Sequence, residues 1–432
     1  NSYDSAKLQY FMSDEAGKWT ESSVDKNWQV VAPCLTLGRK IVGKCFMPST
    51  VNELTAGGGD NFKKLWDMSD INNKDDNGRT QSGLYSYFTP AYDGYEGFID
   101  DYGVSQVDKA KNFLKNKRKS LSKDTIKLSE EKRQRPFTVD EAFRSDANRS
   151  IFDVEKIYQQ LDFIESNREL TTPGNFIWKG GVKDTEVIWV PDPRGRWNIT
   201  WLPDPENQNK YTNKKSGKSP GNELNTVSGV DPYDHDTTTD GRRSDAAAYI
   251  FRKFNMSDSS SNSFVCEYIN RPPKADIFYE DMVKQCYFYG CQILAENNKI
   301  GLIKYFQNRG YANYLMERPE STHTSYSRAQ QTPGIPTSGA AVINAMADVI
   351  QAYIYDNVGY NTETGEIGNC YFKNLLLDWA EFDIENRTKY DATMASGMTL
   401  LGSQKHIPVK KVRKPMHFAK KYNNKGLISI KV

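Results

Sequence analysis

The sequence predicts an α/β protein of two domains, residues 1–146 and 147–432. Three observations carry that prediction. The chain has 432 residues, more than one ordinary hydrophobic core accommodates. Short apolar, strand-like runs alternate with helix-like runs along most of its length. Three acidic residues far apart in sequence, Asp231, Glu296 and Asp391, each stand where such a run ends or begins.

Composition narrows the function classes. Lys+Arg (57) and Asp+Glu (55) nearly cancel to a net charge of +2, so electrostatic partners are sought in local tracts rather than in the overall charge. Aromatic residues make up 12%, which favours a packed chain over a disordered one. No apolar run approaches the ~18 residues of a spanning helix, so no membrane segment is expected. The chain opens with Asn1 and shows no signal peptide, which reads as a fragment or a processed product. Of the 6 cysteines only Cys286 and Cys291 lie close together, no CxxC occurs, and there are only 4 histidines. This reads as reduced, partly buried thiols in a cytosolic setting, not as a zinc site.

In the first domain, Leu8–Met12 is an apolar strand that ends at Asp14-Glu15. Residues 24–37 are mixed and in part helical. Arg39–Met47 is a second strand, stopped by Pro48, and the crossover between the two implies parallel pairing. Gly57–Gly59 and Asp70–Ser82 read as breakers or surface loops. Gly83–Phe98 is dense in aromatics and irregular. Asp108–Arg135 reads as one Lys-rich helix, ended by Pro136, with a short helix over Val139–Arg144. Ser, Asp and Asn accumulate around Asp146, where the boundary is placed.

The second domain opens with a helix over Asp153–Asn167. A Trp-rich β section with Trp178, Trp189, Trp197 and Trp201 follows, in which Glu186–Asp192 and Trp197–Asp204 read as strands paired through a turn at Pro193–Arg196. A polar loop, Glu206–Asn225, follows. Strands are expected over Thr226–Asp231, Ala246–Phe254 and Ser263–Ile269. Then come a helix (Ile277–Gly290), a strand (Gln292–Glu296), a helix (Ile300–Gly310), a strand (Asn313–Glu317) and further helices. Three consecutive strands suit antiparallel hairpins, and the later alternation suits parallel additions, giving a mixed sheet flanked by helices.

Asp231 ends its strand at Pro232, Glu296 ends its strand at Asn297-Asn298, and Asp391 opens a helix with Met394, Met398 and Leu401 at helical spacing. Carboxylates that converge from element ends are suited to hold divalent cations for phosphodiester chemistry. Two ions, Mg²⁺ or Mn²⁺, are the cofactor expected. Asp234, Asp236, Asp240 and Asp245 crowd after Asp231, and Asp245, just before the next strand, is the candidate for an accessory ligand.

An apolar strand ending in Asp14-Glu15 is also the Walker B pattern. There the Asp holds Mg²⁺, the Glu orients the attacking water, and Ser49-Thr50 at the next strand end sense the γ-phosphate. No G-x-x-x-x-G-K-[ST] occurs; at Gly217-Lys218-Ser219 the required earlier glycine is Thr212. ATP is therefore expected as a cofactor only together with a further N-terminal part. Residues 401–432 contain nine Lys/Arg and no Asp or Glu, and Lys109–Lys127 is also basic, as expected of contacts to phosphate backbones.

Together these residues resemble the large terminase subunit of tailed bacteriophages, over nearly the whole chain. The resemblance is carried by FMSDEAGKW (Phe11–Trp19), CFMPSTVNE (Cys45–Glu53) and PFTVDEAF (Pro136–Phe143). It continues through GVDP, SDAAAYIF, AENNKIG and TKYDATMASGM. It implies part of a P-loop-type ATPase domain followed by a ribonuclease H-like nuclease domain with a basic C-terminal tail. It implies metal ligation by Asp231, Glu296 and Asp391 with Asp245 as accessory. It also implies Asp14 on Mg²⁺, Glu15 as catalytic base and Ser49-Thr50 in coupling. The implied activity is two-metal hydrolysis of concatemeric double-stranded viral DNA, releasing a 3′ hydroxyl, within an ATP-driven packaging motor. Portal protein and the small terminase subunit are the implied partners, homo-oligomerisation in the motor and host-cell cytoplasm the implied setting. The chain departs from the family where the P-loop, adenine-binding and arginine-finger regions are absent and where Tyr390 precedes Asp391, which leaves Asp383 or Glu385 as substitutes. The rival expectations are a ribonuclease H-like transposase or resolvase, and a non-catalytic DNA-binding or capsid-docking protein.

Overall fold

Tyr10–Met12 pairs in parallel with Lys44–Phe46, joined by a crossover that contains the helix Val24–Val31. Val24, Trp28 and Val31 form the buried stripe of that helix, at the 3.6-residue period. The computed structural model describes residues 6–19, 23–38, 40–51, 58–121, 124–144, 150–167, 170–233, 246–254, 261–322, 332–361, 364–404, 418–423 and 426–431. The chain divides into two compact units, residues 1–159 with 376–386 and residues 160–375 with 387–432. The division falls inside the helix Val154–Ser166.

In the first unit the strand expected over Arg39–Met47 is two short pieces. Lys40–Ile41 pairs back on Thr36–Leu37, and Lys44–Phe46 pairs with Tyr10–Met12. Gly43 separates them, where a β-carbon would fall on the Leu8 carbonyl and the Leu35 side chain. Gly58 and Gly59, expected as breakers, open the helix Gly58–Asp67 instead. Phe62 and Leu65 of that helix are buried in one core with Val24, Trp28 and Phe143. That burial outweighs a glycine penalty of about 1 kcal/mol each. The single Lys-rich helix is two helices, Val107–Ser120 and Thr125–Gln134. Asp124 caps the second by accepting from the Lys127 amide. Arg118 of the basic tract is structural: both its terminal nitrogens reach Glu141 at 2.8 Å, and its guanidinium lies 3.6 Å over the Phe137 ring.

The second unit is built on a seven-stranded sheet in the order Gln292–Ala295, Thr226–Asp231, Ala246–Arg252, Ser263–Asn270, Trp197–Ile199, Thr172–Trp178, Val187–Pro191. Only the first pair is parallel; the others are antiparallel. The strands expected to pair through the turn at Pro193–Arg196 do not pair. Thr172–Trp178 lies between them, a strand of the Trp-rich β section whose bounds are hidden in the sequence by its Pro173-Gly174 opening. It is held by Phe176, whose ring packs on Trp189, Trp197, Phe288 and Tyr289 with centroids 4.8–5.8 Å apart. The expected polar loop over Glu206–Asn225 contains a hairpin, Tyr211–Lys214 with Gly217–Pro220. The strand expected over Asn313–Glu317 is a 3₁₀ turn, Ala312–Tyr314, followed by one bridge from Leu315 to Ile293.

The helix Ala275–Tyr289 shares one core with the strands, through Phe278, Met282, Cys286 and Phe288 packed with Val230, Ala248 and Tyr268. The helix Asp391–Ser403 packs on the strands Thr226–Asp231 and Ala246–Arg252 and under the helix Ala340–Asn357. It is buried nearly all round because its small residues permit close approach. A β-carbon on Gly229 would fall on the Thr399 backbone, and one on Gly397 would lie 2.8 Å from Met346 Cβ. The buried indoles are satisfied: Trp178 donates to Glu280 at 2.8 Å and Trp197 to Gln285 at 2.7 Å.

Of the basic C-terminal stretch, Phe418–Asn423 and Gly426–Lys431 form an antiparallel hairpin, and residues 405–417 lie outside the described residues. Five of the six cysteines are buried, and Cys45 is half-buried. Among the described residues no helix is long and apolar enough to cross a membrane.

Candidate active site

Parallel pairing sets the site. Val230 is in register with Ala295, and the Glu296 amide donates to the Val230 carbonyl at 3.3 Å. The two strands therefore end level, and Asp231 and Glu296 emerge side by side at their carboxyl ends. That end of a sheet with parallel neighbours is where ligands collect. Pro232 cannot extend the ladder, so the chain leaves the sheet directly after Asp231. Glu296 also bridges Ile335, which brings Thr337 to it. The Thr337 hydroxyl donates to Glu296 Oε1, and Asn298 Nδ2 donates to the same oxygen at 3.1 Å. Asp231 and Glu296 are hydrogen-bonded to each other.

Lys299, which the sequence reading did not single out, sits between the two carboxylates. Its Nζ lies 3.0 Å from Asp231 Oδ1 and 3.2 Å from Glu296 Oε2. The two carboxylate side chains are each 10% exposed and the lysine side chain 36%. Burial pushes the Asp231 carboxyl up to about 8; Lys299 opposes that rise, and the charges of Glu296 and Asp391 reinforce it. For Glu296, burial works in the same direction. There, however, Lys299 and the hydrogen bonds from Thr337 and Asp231 prevail and hold the carboxyl below its ordinary value. Burial alone would lower the Lys299 ammonium, and the two carboxylates raise it well above the usual lysine range. Of two adjacent carboxyls, one is thus favoured protonated and the other ionised.

Asp391 is the first residue of its helix, half-buried, and close enough for its charge to act on Asp231. Asp383 spends its carboxylate on its own turn, accepting from the Glu385 amide at 3.0 Å and Asn386 Nδ2 at 2.6 Å, and Glu385 is exposed. Asp245, with Asp234, Asp236 and Asp240, lies outside the described residues. Among the described residues no three His, Cys, Asp or Glu side chains are gathered closely enough to ligate one metal ion. Asp231 and Glu296 come together, while Asp391 stands near without joining a ligating triplet.

The donor set nevertheless suits a divalent cation. Carboxylate and hydroxyl oxygens are the hard donors that Mg²⁺ and Mn²⁺ prefer. A positive charge, the Lys299 ammonium, already lies between the two carboxylates at hydrogen-bonding distance from each.

In the first unit the parallel register of Met12 with Phe46 brings Glu15 to Ser49 and Thr50. The Glu15 amide donates to the Pro48 carbonyl at 2.9 Å, and its carboxylate accepts from both hydroxyls at 3.4 Å and from Lys18 at 3.1 Å. Ser49 Oγ also receives the Gly17 amide at 2.9 Å. Glu15 holds a left-handed backbone (φ 51°), which costs about 1–2 kcal/mol for a non-glycine residue. Asp14 is exposed on the preceding turn.

A signal for Lys299 exists in the sequence, three residues beyond Glu296 at the entry to a helix. Thr337, 41 residues from Glu296, carries none. No protein-family profile matches the sequence, and none of the curated proteins is significantly similar to it.

Proposed function

We propose that the second unit is a divalent-metal-dependent endonuclease of the terminase kind, with a ribonuclease H-like fold. It would cut double-stranded DNA at the start and end of genome packaging. The observation that supports this reading most directly is the emergence of Asp231 and Glu296 from adjacent parallel strand ends around one cationic centre, with Asp391 at a nearby helix start. Asp231 and Glu296 would hold Mg²⁺ or Mn²⁺, Asp391 would stand alongside, and Thr337 and Asn298 orient Glu296. The bound ion supplies Lewis acidity at a phosphodiester. The protein's own part is to keep the carboxylates fixed and largely dry, so that charge is not dissipated into solvent.

The first unit would then be the rear part of a P-loop-type motor domain. Its support is the contact of Glu15 with Ser49 and Thr50 at neighbouring strand ends, as a base and a coupling segment require. Portal protein, a small terminase subunit and further copies of this chain are the partners this reading brings, in the cytoplasm of an infected host.

The test is nicking of supercoiled plasmid by the purified chain in Mn²⁺ or Mg²⁺. Asp231→Asn and Glu296→Gln are each expected to abolish nicking while the circular dichroism spectrum stays unchanged. Undiminished cutting by either folded variant would remove that residue from the site. Joining of DNA strands would move the chain to the transposases and resolvases, and metal-independent DNA binding without nicking to a non-catalytic role.

A further inference from the structure

We propose that Lys299 is an internal counter-cation that competes with the divalent ion and sets the metal concentration at which the site loads. The inference rests on the carboxylate site described above and concerns its regulation. One ammonium lies 3.0 Å from Asp231 and 3.2 Å from Glu296, on the oxygens an ion would use. Mg²⁺ needs oxygen ligands at about 2.0–2.1 Å, which leaves no room for a primary ammonium between the same atoms. The two cations therefore exclude each other.

The lysine is placed so that it can leave. It stands in the short segment between Glu296 and the helix Gly301–Asn308, and over a third of its side chain is exposed. A flexible four-carbon stem carries its charge into water by side-chain rotation alone. Its neighbours stay behind: Asn298 and Thr337 hold Glu296 independently of the lysine. Before loading, the ammonium offsets the negative charge held by a pair whose side chains are each only 10% exposed, so the pair remains assembled. The metal must then displace a built-in charge rather than enter a vacant anionic cup, and its affinity falls accordingly.

The experiment measures Mn²⁺ binding to the full chain by loss of the free-ion paramagnetic signal, beside the thermal midpoint with and without Mn²⁺. The proteins are wild type, Lys299→Met, Lys299→Gln and Lys299→Arg. Both uncharged variants should bind Mn²⁺ at least about tenfold more tightly than wild type, because one opposing unit charge is gone from a poorly solvated site. They should melt lower than wild type without metal and gain more from its addition. Lys299→Arg keeps the charge and should stay near wild type. Equal affinity in wild type and both uncharged variants overturns the competition and leaves the carboxylate site standing. Weaker binding in both uncharged variants overturns it as well, and makes the lysine a support of the loaded site. Absence of Mn²⁺ binding in every protein overturns this proposal and the metal-site reading together. If one uncharged variant does not fold, the other decides.

Discussion

Glu267 shows how much a single side chain can decide. It is 2% exposed on the strand Ser263–Asn270, and its carboxyl meets Tyr249 at 3.1 Å, Asn374 at 3.2 Å and Asn198 at 3.5 Å. Burial pushes it from 4.5 up to about 7, against the pull of those hydrogen bonds. Between those values the folded protein keeps a proton that the unfolded chain has released, so stability falls as pH rises from 4.5 to about 7. The loss attributable to this group is on the order of 3 kcal/mol across that window. Glu267→Gln should flatten the dependence by roughly that amount in urea titrations between pH 4.5 and 7, compared with wild type. An unchanged slope would show the group ionised throughout. Asp231 bears on pH in the same direction, which is why the difference between the two proteins is the quantity to read.

At the scale of elements, the site depends on how closely the helix Asp391–Ser403 approaches the strand Thr226–Asp231. Gly229 permits that approach, since a β-carbon there would fall on the Thr399 backbone. Gly229→Ala should therefore cost about 1–3 kcal/mol, the usual penalty of overpacking. It should also reduce nicking beyond what the stability loss explains, because it displaces the helix that begins at Asp391. Gly339, with open space around its would-be β-carbon, is the control: it caps the helix Ala340–Asn357, so Gly339→Ala should cost no more than about 1 kcal/mol and leave nicking unchanged beyond that loss. Normal nicking in a folded Gly229→Ala protein would show that the position of this helix is not critical. The order of strands and helices from Thr226 to Asn308 was legible in the sequence, as long apolar runs with clear breakers. The strand Thr172–Trp178 was legible only as part of a Trp-rich β section, without its bounds or its central place, because Pro and Gly open it and its stability comes from aromatic partners more than ten residues away.

At the scale of the molecule, the two units have separate cores, one around Trp28, Phe62 and Phe143 and one around Phe176, Trp197 and Tyr268. Separate cores unfold as separate cooperative events. Calorimetry should show two transitions, and both Gly229→Ala and added Mn²⁺ should move the one belonging to the second unit. A single transition moved as a whole by either change would mean that the chain unfolds as one body. The unit division also gives the linear order a twist that no composition shift announced: residues 376–386, late in the chain, belong with the first unit. Ser150 donates to the Trp379 carbonyl at 2.7 Å and Phe152 stacks on Phe382, contacts between segments more than two hundred residues apart.

By itself the sequence determined the mixed α/β class and the placing of Asp231, Glu296 and Asp391 at element ends. Hydrophobic period and breaker residues are local quantities, and they suffice for that. Tertiary structure alone decided that Asp231 and Glu296 stand level, since that follows from the parallel register of Val230 with Ala295. It also decided that Lys299 lies between them and that Thr337 reaches Glu296 from a distant segment. Register and long-range contact arise from packing between segments, and no window along the chain contains both partners.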